Sequence, residues 1–260
     1  MSTGGAAAHD WQPRWHSLVQ GVVRVHSDHG EQQLIETLTH PVEPLVVAFV
    51  NAHAMNSAAH DTRFYHALMD SDIVLRDGIG MEILFRLLNQ DPGLNLNGTD
   101  LIPKIIGRYT GRSIALFGTE EPYLGKARDR VASEFAPGSD CVTAHGFLET
   151  TDYLRLAAAH RPDLIVLGMG MPRQEEVAGM LRAALSHPCL IVCGGAIIDF
   201  MGGKATRAPK WVRAVHLEWA WRLALEPKRL FRRYVMGNPL FLARALTLAA
   251  MSSRADRRVT

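Results

Sequence analysis

Cysteine is scarce in this chain. Three residues in 260, Cys141, Cys189 and Cys193, sit in apolar runs without the spacing of a disulfide framework or a zinc site. They read as buried, reduced thiols of a cytoplasmic protein. A basic stretch followed by an apolar core is missing at the N-terminus, so no secretory leader is expected. Long hydrophobic runs are missing too. The nearest, Pro239 to Met251, contains Arg244 and falls short of the roughly 20 residues a spanning helix needs. The twelve histidines form no His-x-x-x-His pair and no His/carboxylate set at ligand spacing. No Gly-x-Ser-x-Gly elbow or P-loop occurs, which removes the main support for a hydrolase or a nucleotide triphosphatase. There is no internal repeat and no low-complexity segment.

With 47% apolar and 21% charged residues, the chain can bury a full core. Short β-branched or apolar runs at Leu45–Val50, Ile73–Leu75, Ile114–Phe117, Cys141–Thr143, Leu164–Leu167 and Leu190–Val192 read as buried strands. Between them, segments near Ser57–Met69, Ile79–Leu88, Leu101–Tyr109, Tyr123–Phe135, Tyr153–His160 and Glu175–Leu185 carry helical periodicity. The alternation predicts an α/β fold: a Rossmann-like, mostly parallel sheet with helices on both faces. Residues 1–20 are expected to be a flexible N-terminal segment, 21–203 the Rossmann-like domain, and 204–260 a basic helical C-terminal appendage.

Such sheets bind ligands beyond the carboxyl ends of their strands. Candidate ligand positions there are Asn51-Ala52-His53, Asp77-Gly78, Gly118-Thr119, Gly168 through Glu175, and Gly194-Gly195. Asp77 stands where a general base would stand, and equally where a helix cap would. Gly168 to Glu175 suits a diphosphate but lacks the third glycine of the dinucleotide fingerprint, and an ordinary strand-to-helix turn competes with that reading. Gln174 is the ligand candidate within it. Asp70-Ser71-Asp72 matches a short metal-binding pattern but lies before its strand, at the end away from the crevice, and reads as a solvated turn.

Charge is unevenly placed. From Lys204 onward there are 13 Lys/Arg against 3 Asp/Glu, while residues 1–203 hold 15 against 23. Arg207, Arg222, Arg229, Arg232 and Arg233 are interleaved with Trp211, Trp219, Trp221 and Tyr234. A solvated helix face is the plain alternative. The mixture nevertheless suits a phosphorylated ligand at a membrane headgroup layer, because guanidinium forks pair bidentately with phosphate oxygens and aromatic rings favour the interface. Nucleic acid is not expected, since no recognised motif accompanies the charge.

The order of motifs is more specific than any one of them: Asn51 with Asn56, Asp77-Gly78-x-Gly80, Gly98-Thr99-Asp100-Leu101, Leu116-Phe117-Gly118, Gly168-Met169-Gly170-Met171-Pro172-Arg173-Gln174-Glu175, Gly194-Gly195 with Asp199-Phe200 and Gly202, then Arg207-Ala208-Pro209, Glu218-Trp219, Arg222, Pro227, Arg229 and Arg233. From about Leu45 to Arg233 the chain resembles the WecG/TagA/CpsF family of bacterial glycosyltransferases (glycosyltransferase family 26). The resemblance implies an inverting enzyme of cell-surface polysaccharide synthesis. It would move an N-acetylmannosamine-type sugar, N-acetylmannosaminuronic acid or glucose from a UDP-sugar to a polyprenyl-diphosphate-linked saccharide at the cytoplasmic face of the membrane, without cofactor or metal. It implies Asp77 as catalytic base. The substrate-binding set expected with it is Asn51, Asn56, Gly78, Gly118, Gly170, Gln174, Glu175, Arg207, Arg222, Arg229 and Arg233. Self-association stays open, as do two other readings: a nucleotide-sugar-modifying or nicotinamide-dependent enzyme on the same sheet, and a non-catalytic membrane scaffold.

Overall fold

The computed structural model describes residues 11–256. Seven parallel strands form one sheet in the order β1-β3-β2-β7-β6-β4-β5: β1 Val22–Val23, β2 Pro44–Val50, β3 Ile73–Arg76, β4 Ser113–Gly118, β5 Asp140–Ala144, β6 Leu164–Gly168 and β7 Cys189–Cys193. Strand side chains alternate between the faces, and both faces are covered, which is why the strands read as continuous apolar runs. Val46, Ala48, Val50, Phe117, Ile165 and Ile191 pack on one side with helices Trp11–Gly21, Ala52–His60, Thr150–His160 and Arg173–Ala184. Val47, Phe49, Leu116, Val166 and Val192 pack on the other with Gly98–Ile106 and Tyr123–Arg130.

All six expected strands are present. The edge pair β1 adds a seventh. The helix expected over Ser57–Met69 is instead two helices, Ala52–His60 and Thr62–Met69, divided at Asp61, whose Oδ1 accepts from Phe64 N at 3.0 Å as an N-cap.

The N-terminal expectation needs correction. Residues 1–10 lie outside the described residues, but Trp11–Gly21 is a helix rather than a loose segment. Trp15 is fully buried, donates Nε1–H to Met55 O at 2.7 Å, and its ring lies 5.3 Å from that of Phe241. That single aromatic anchors the helix against both the core and the C-terminal segment.

After β7 the chain forms Ile197–Met201, Lys210–Ala214, Glu218–Leu225, Pro227–Phe231, a π-type turn at Arg232–Met236, and Gly237–Asp256. The last helix lays Phe241, Ala245 and Leu248 into the core beside Ala52–His60 and Ile79–Leu87. Here too an expectation changes. Because the helical turns join without a break, Pro227–Ser253 is long and apolar enough to cross a membrane by length and composition, although its inner face packs on the sheet domain. The three cysteines are free thiols, Cys189 and Cys193 buried and Cys141 half-buried.

Candidate active site

The neighbouring ends of β2 and β3 build the site. Asp77 N donates to Val50 O at 2.8 Å, extending the strand pairing by one residue and bringing Asp77 beside Asn51. Asn51 caps Ala52–His60, its Oδ1 accepting from His53 N and Ala54 N at 3.1 Å, while its Nδ2 donates to Asp77 Oδ2 at 3.2 Å. Gly78 adopts φ 82°, a left-handed conformation that suits glycine, and its N–H donates to Asn95 Oδ1 at 2.9 Å. Buried Arg76 holds the loop that carries Asn95, donating to Pro92 O at 2.8 Å and Gly93 O at 2.6 Å.

Asn51, His53, Asp77, Gly78 and Asn95 form one wall of a cavity of about 930 Å³. Asn97, Thr99 and Asp100, at the start of Gly98–Ile106, continue it. The basic tail forms the facing wall with Arg213, Glu218, Trp219, Arg222, Arg233 and Tyr234. The cavity thus sets a carboxylate on the sheet domain against guanidinium groups on the appendage.

The electrostatics are specific. Burial, with help from Arg233, pushes His53 down to about 4, so this wall residue is an uncharged imidazole near neutral pH. Burial raises Glu218, and Asp77 adds to that while Arg207, Arg222 and Arg213 oppose it. Arg207 Nη2 lies 2.7 Å from Asp100 Oδ1 as an ion pair. Its Nε lies 4.0 Å from Glu218 Oε1, so Arg207 is held between two carboxylates, whereas Arg233 Nε and Trp221 Nε1 are buried donors that meet no acceptor among the described residues. Buried donors without acceptors are costly, and an anionic ligand in the cavity would satisfy that of Arg233.

Of the residues singled out in the sequence, Asn51, Asp77, Gly78, Arg222 and Arg233 line this cavity, and Arg207 stands at its rim through Asp100. The others are placed elsewhere. Asn56 is buried, donating Nδ2 to Gly237 O at 2.7 Å and accepting from Arg244 Nη1 at 3.0 Å, so it moors the last helix. Arg229 pairs with Glu226, Nη2 donating at 2.8 Å. Gly118 and Gly170 lie at the ends of β4 and β6, where a Cβ on Gly118 would come within 2.5 Å of Gly168 O.

Gln174 is only 1% exposed. Its Oε1 accepts from Gly195 N at 2.9 Å and its Nε2 donates to Glu175 Oε1 at 2.8 Å. The amide therefore braces the turn after β7 from below. Glu175 is raised to about 7 by burial, and its Oε2 meets no partner among the described residues. Nearby, Thr119 holds φ 47° and donates Oγ1–H to Asp199 Oδ1. Asp72 is structural: its Oδ2 accepts from Val46 N at 2.8 Å and its Oδ1 from Arg182 at 2.7 Å, at the sheet's amino end.

Asn95, Asn97, Thr99 and Asp100 line the cavity although the expected substrate-binding set left them out; Thr99 and Asp100 belong to the motif Gly98-Thr99-Asp100-Leu101. Asn97 carried a signal, since its Oδ1 accepts from Asp100 N at 3.0 Å in an Asn-x-x-Asp cap. Asn95 reaches the site by a loop return that no local pattern records.

Comparison with known proteins finds related glycosyltransferases. An N-acetylglucosaminyldiphosphoundecaprenol N-acetyl-beta-D-mannosaminyltransferase of Bacillus subtilis (strain 168) is 27% identical over 187 residues, 71% of this chain and 73% of the relative. The enzyme of the same description from Staphylococcus aureus (strain MRSA252) is 23% identical over 202 residues, 76% and 78% of the two chains. The model of the glycosyl transferase WecG/TagA/CpsF family matches residues 21–255. With motif order, parallel sheet and family match in accord over most of its length, this chain belongs to the WecG/TagA/CpsF family of glycosyltransferases.

Proposed function

We propose that this chain transfers N-acetylmannosamine from its UDP-sugar, with inversion, to a saccharide carried on polyprenyl diphosphate. The relatives' acceptor, N-acetylglucosaminyl-diphosphoundecaprenol, is the model for that substrate. The observation that carries this reading is the single cavity in which Asp77 faces Arg222 and Arg233.

Asp77, steadied by the Asn51 amide, accepts the proton of the acceptor hydroxyl as its oxygen attacks the anomeric carbon from the face opposite the leaving group. The bond from that carbon to the UDP oxygen breaks. Negative charge then grows on the departing diphosphate, where Arg222, Arg233 and Arg207 stabilise it with donors that are already in place. In this reading guanidinium groups supply the charge compensation, and no divalent ion is required. Residues 21–203 act as the catalytic domain and 204–260 complete its site at the cytoplasmic face of the membrane. Exposed Trp211, Phe231 and Leu246 beside the tail's basic residues support that placement.

The test is transfer by purified protein from a panel of UDP-sugars to an N-acetylglucosaminyl diphosphate lipid. Turnover is expected with UDP-N-acetylmannosamine, and turnover with N-acetylmannosaminuronic acid or glucose donors alone would reassign the sugar. Asp77→Asn should stay folded and lose at least about 10²-fold in kcat, as loss of a general base does. Near-normal turnover by that variant would remove Asp77 from the chemistry.

A further inference from the structure

The cavity is not polar throughout. Helix Ile79–Leu87 presents Ile79 and Ile83, one turn apart, and the tail presents Val235, Pro239 and Leu242 at spacings of four and three. The π-type turn at Arg232–Met236 lets Arg233, Tyr234 and Val235 all reach the cavity, so the apolar stripe begins next to a cavity arginine. The stripe does not stop at the cavity. Leu246, one turn beyond Leu242 on the same helix, is 57% exposed, and Leu242 itself is 40% exposed. A nucleotide sugar offers such a wall only a uracil face and an acetyl methyl, too little to cover a stripe that runs on out of the cavity.

We propose that the Ile79, Ile83, Val235, Pro239 and Leu242 wall is a binding subsite for the first isoprenoid units of the lipid acceptor. The proposal rests on the glycosyl-transfer reading above. An amphiphile with a diphosphate at Arg222 and Arg233 has its chain begin beside Val235 and run outward along the stripe toward Leu246. Charge complementarity fixes one end of the ligand, and the continuous apolar track fixes the direction of the other. The protein, and not only the bilayer, then reads the lipid.

The experiment compares N-acetylglucosaminyl diphosphate esters of methyl, dimethylallyl, geranyl and farnesyl alcohols. Each is assayed with UDP-N-acetylmannosamine in solution, free of detergent and membrane and below its aggregation concentration. Burial of several methylenes predicts a rise in kcat/KM of at least about tenfold from methyl to geranyl, carried mostly by KM. Ile83→Gln and Leu242→Gln, each at a partly exposed position, should shrink the geranyl-to-methyl ratio to about threefold or less. Equal kcat/KM for methyl and geranyl esters would overturn the subsite while leaving glycosyl transfer intact. A chain-length preference that both variants keep would also overturn it, by placing the lipid elsewhere. Absence of transfer to every ester with every UDP-sugar would overturn the acceptor reading and the subsite with it.

Discussion

Asn51 shows how much one side chain can carry at a strand end. Its side-chain oxygen caps the start of Ala52–His60 and its amide nitrogen orients Asp77, while Ile79–Leu87 begins after Gly78 with no side-chain cap, so Asp77 is not the cap of the helix that follows it. The position of Asp77 was legible because strand ends can be located from apolar runs. The inward turn of Gln174 was not, since the direction of a side chain in a helix's first turn depends on what packs beneath it. Glu175 supplies a residue-level prediction. Its carboxyl moves from 4.5 to about 7 on folding because burial disfavours the charge. The folded chain then keeps a proton that the unfolded chain releases. This contribution to stability is fully present below about pH 4.5 and is lost as pH climbs from there through about 7. Glu175→Gln keeps an acceptor for Gln174 Nε2 and removes the titration. Thermal unfolding at pH 5 and pH 8 should show the variant gaining on the parent at the higher pH, by up to about 3 kcal/mol. An unchanged gap between the two pH values would show that Glu175 does not titrate as described.

At the scale of elements, the six longer strands were readable because burial on both faces leaves them uniformly apolar. The two-residue β1 offers no period to detect. Helix Trp11–Gly21 has a polar sequence around one decisive aromatic, whose partners Met55 and Phe241 are distant in the chain. The mooring of the last helix is equally long-range. Asn56 binds both Gly237 O and Arg244, and removing it breaks both hydrogen bonds and frees a guanidinium. Asn56→Ala should therefore cost about 1–3 kcal/mol and loosen Gly237–Asp256 before the sheet domain unfolds. Limited proteolysis together with thermal unfolding would report this, as earlier cleavage after residue 237 and a lower Tm. A variant as resistant as the parent would mean that Phe241, Ala245 and Leu248 hold the helix unaided.

For the whole molecule, a formal +10 from Lys204 onward sits on a sheet domain of opposite sign. Basic residues near an anionic bilayer contribute on the order of 1 kcal/mol each. Screening shortens their reach to below about 10 Å as salt rises above 0.1 M. Vesicles containing anionic lipid should therefore bind the protein at low salt, and added salt should weaken that binding. The exposed side chains of Trp211, Phe231 and Leu246 should leave a remainder that salt does not release. Flotation with anionic and with neutral vesicles across a salt series would check both parts. Equal partition to neutral vesicles would show that charge plays no part. Arg257 and Arg258 lie outside the described residues, and their effect is read from the same assay.

The stacking of Trp15 on Phe241 has a consequence for the order of events during synthesis. A growing chain makes Trp15 well before Phe241, with the whole sheet in between. Until residues 222–241 leave the ribosome, Trp15 lacks its Phe241 neighbour, and the cavity has Asp77 but neither Arg222 nor Arg233. Contacts of such long sequence separation close late. The sheet domain can form as translation proceeds, whereas the charged groups that face each other across the cavity meet only after Arg222 and Arg233 have been made, so a chain cut short before them has no finished site to act with.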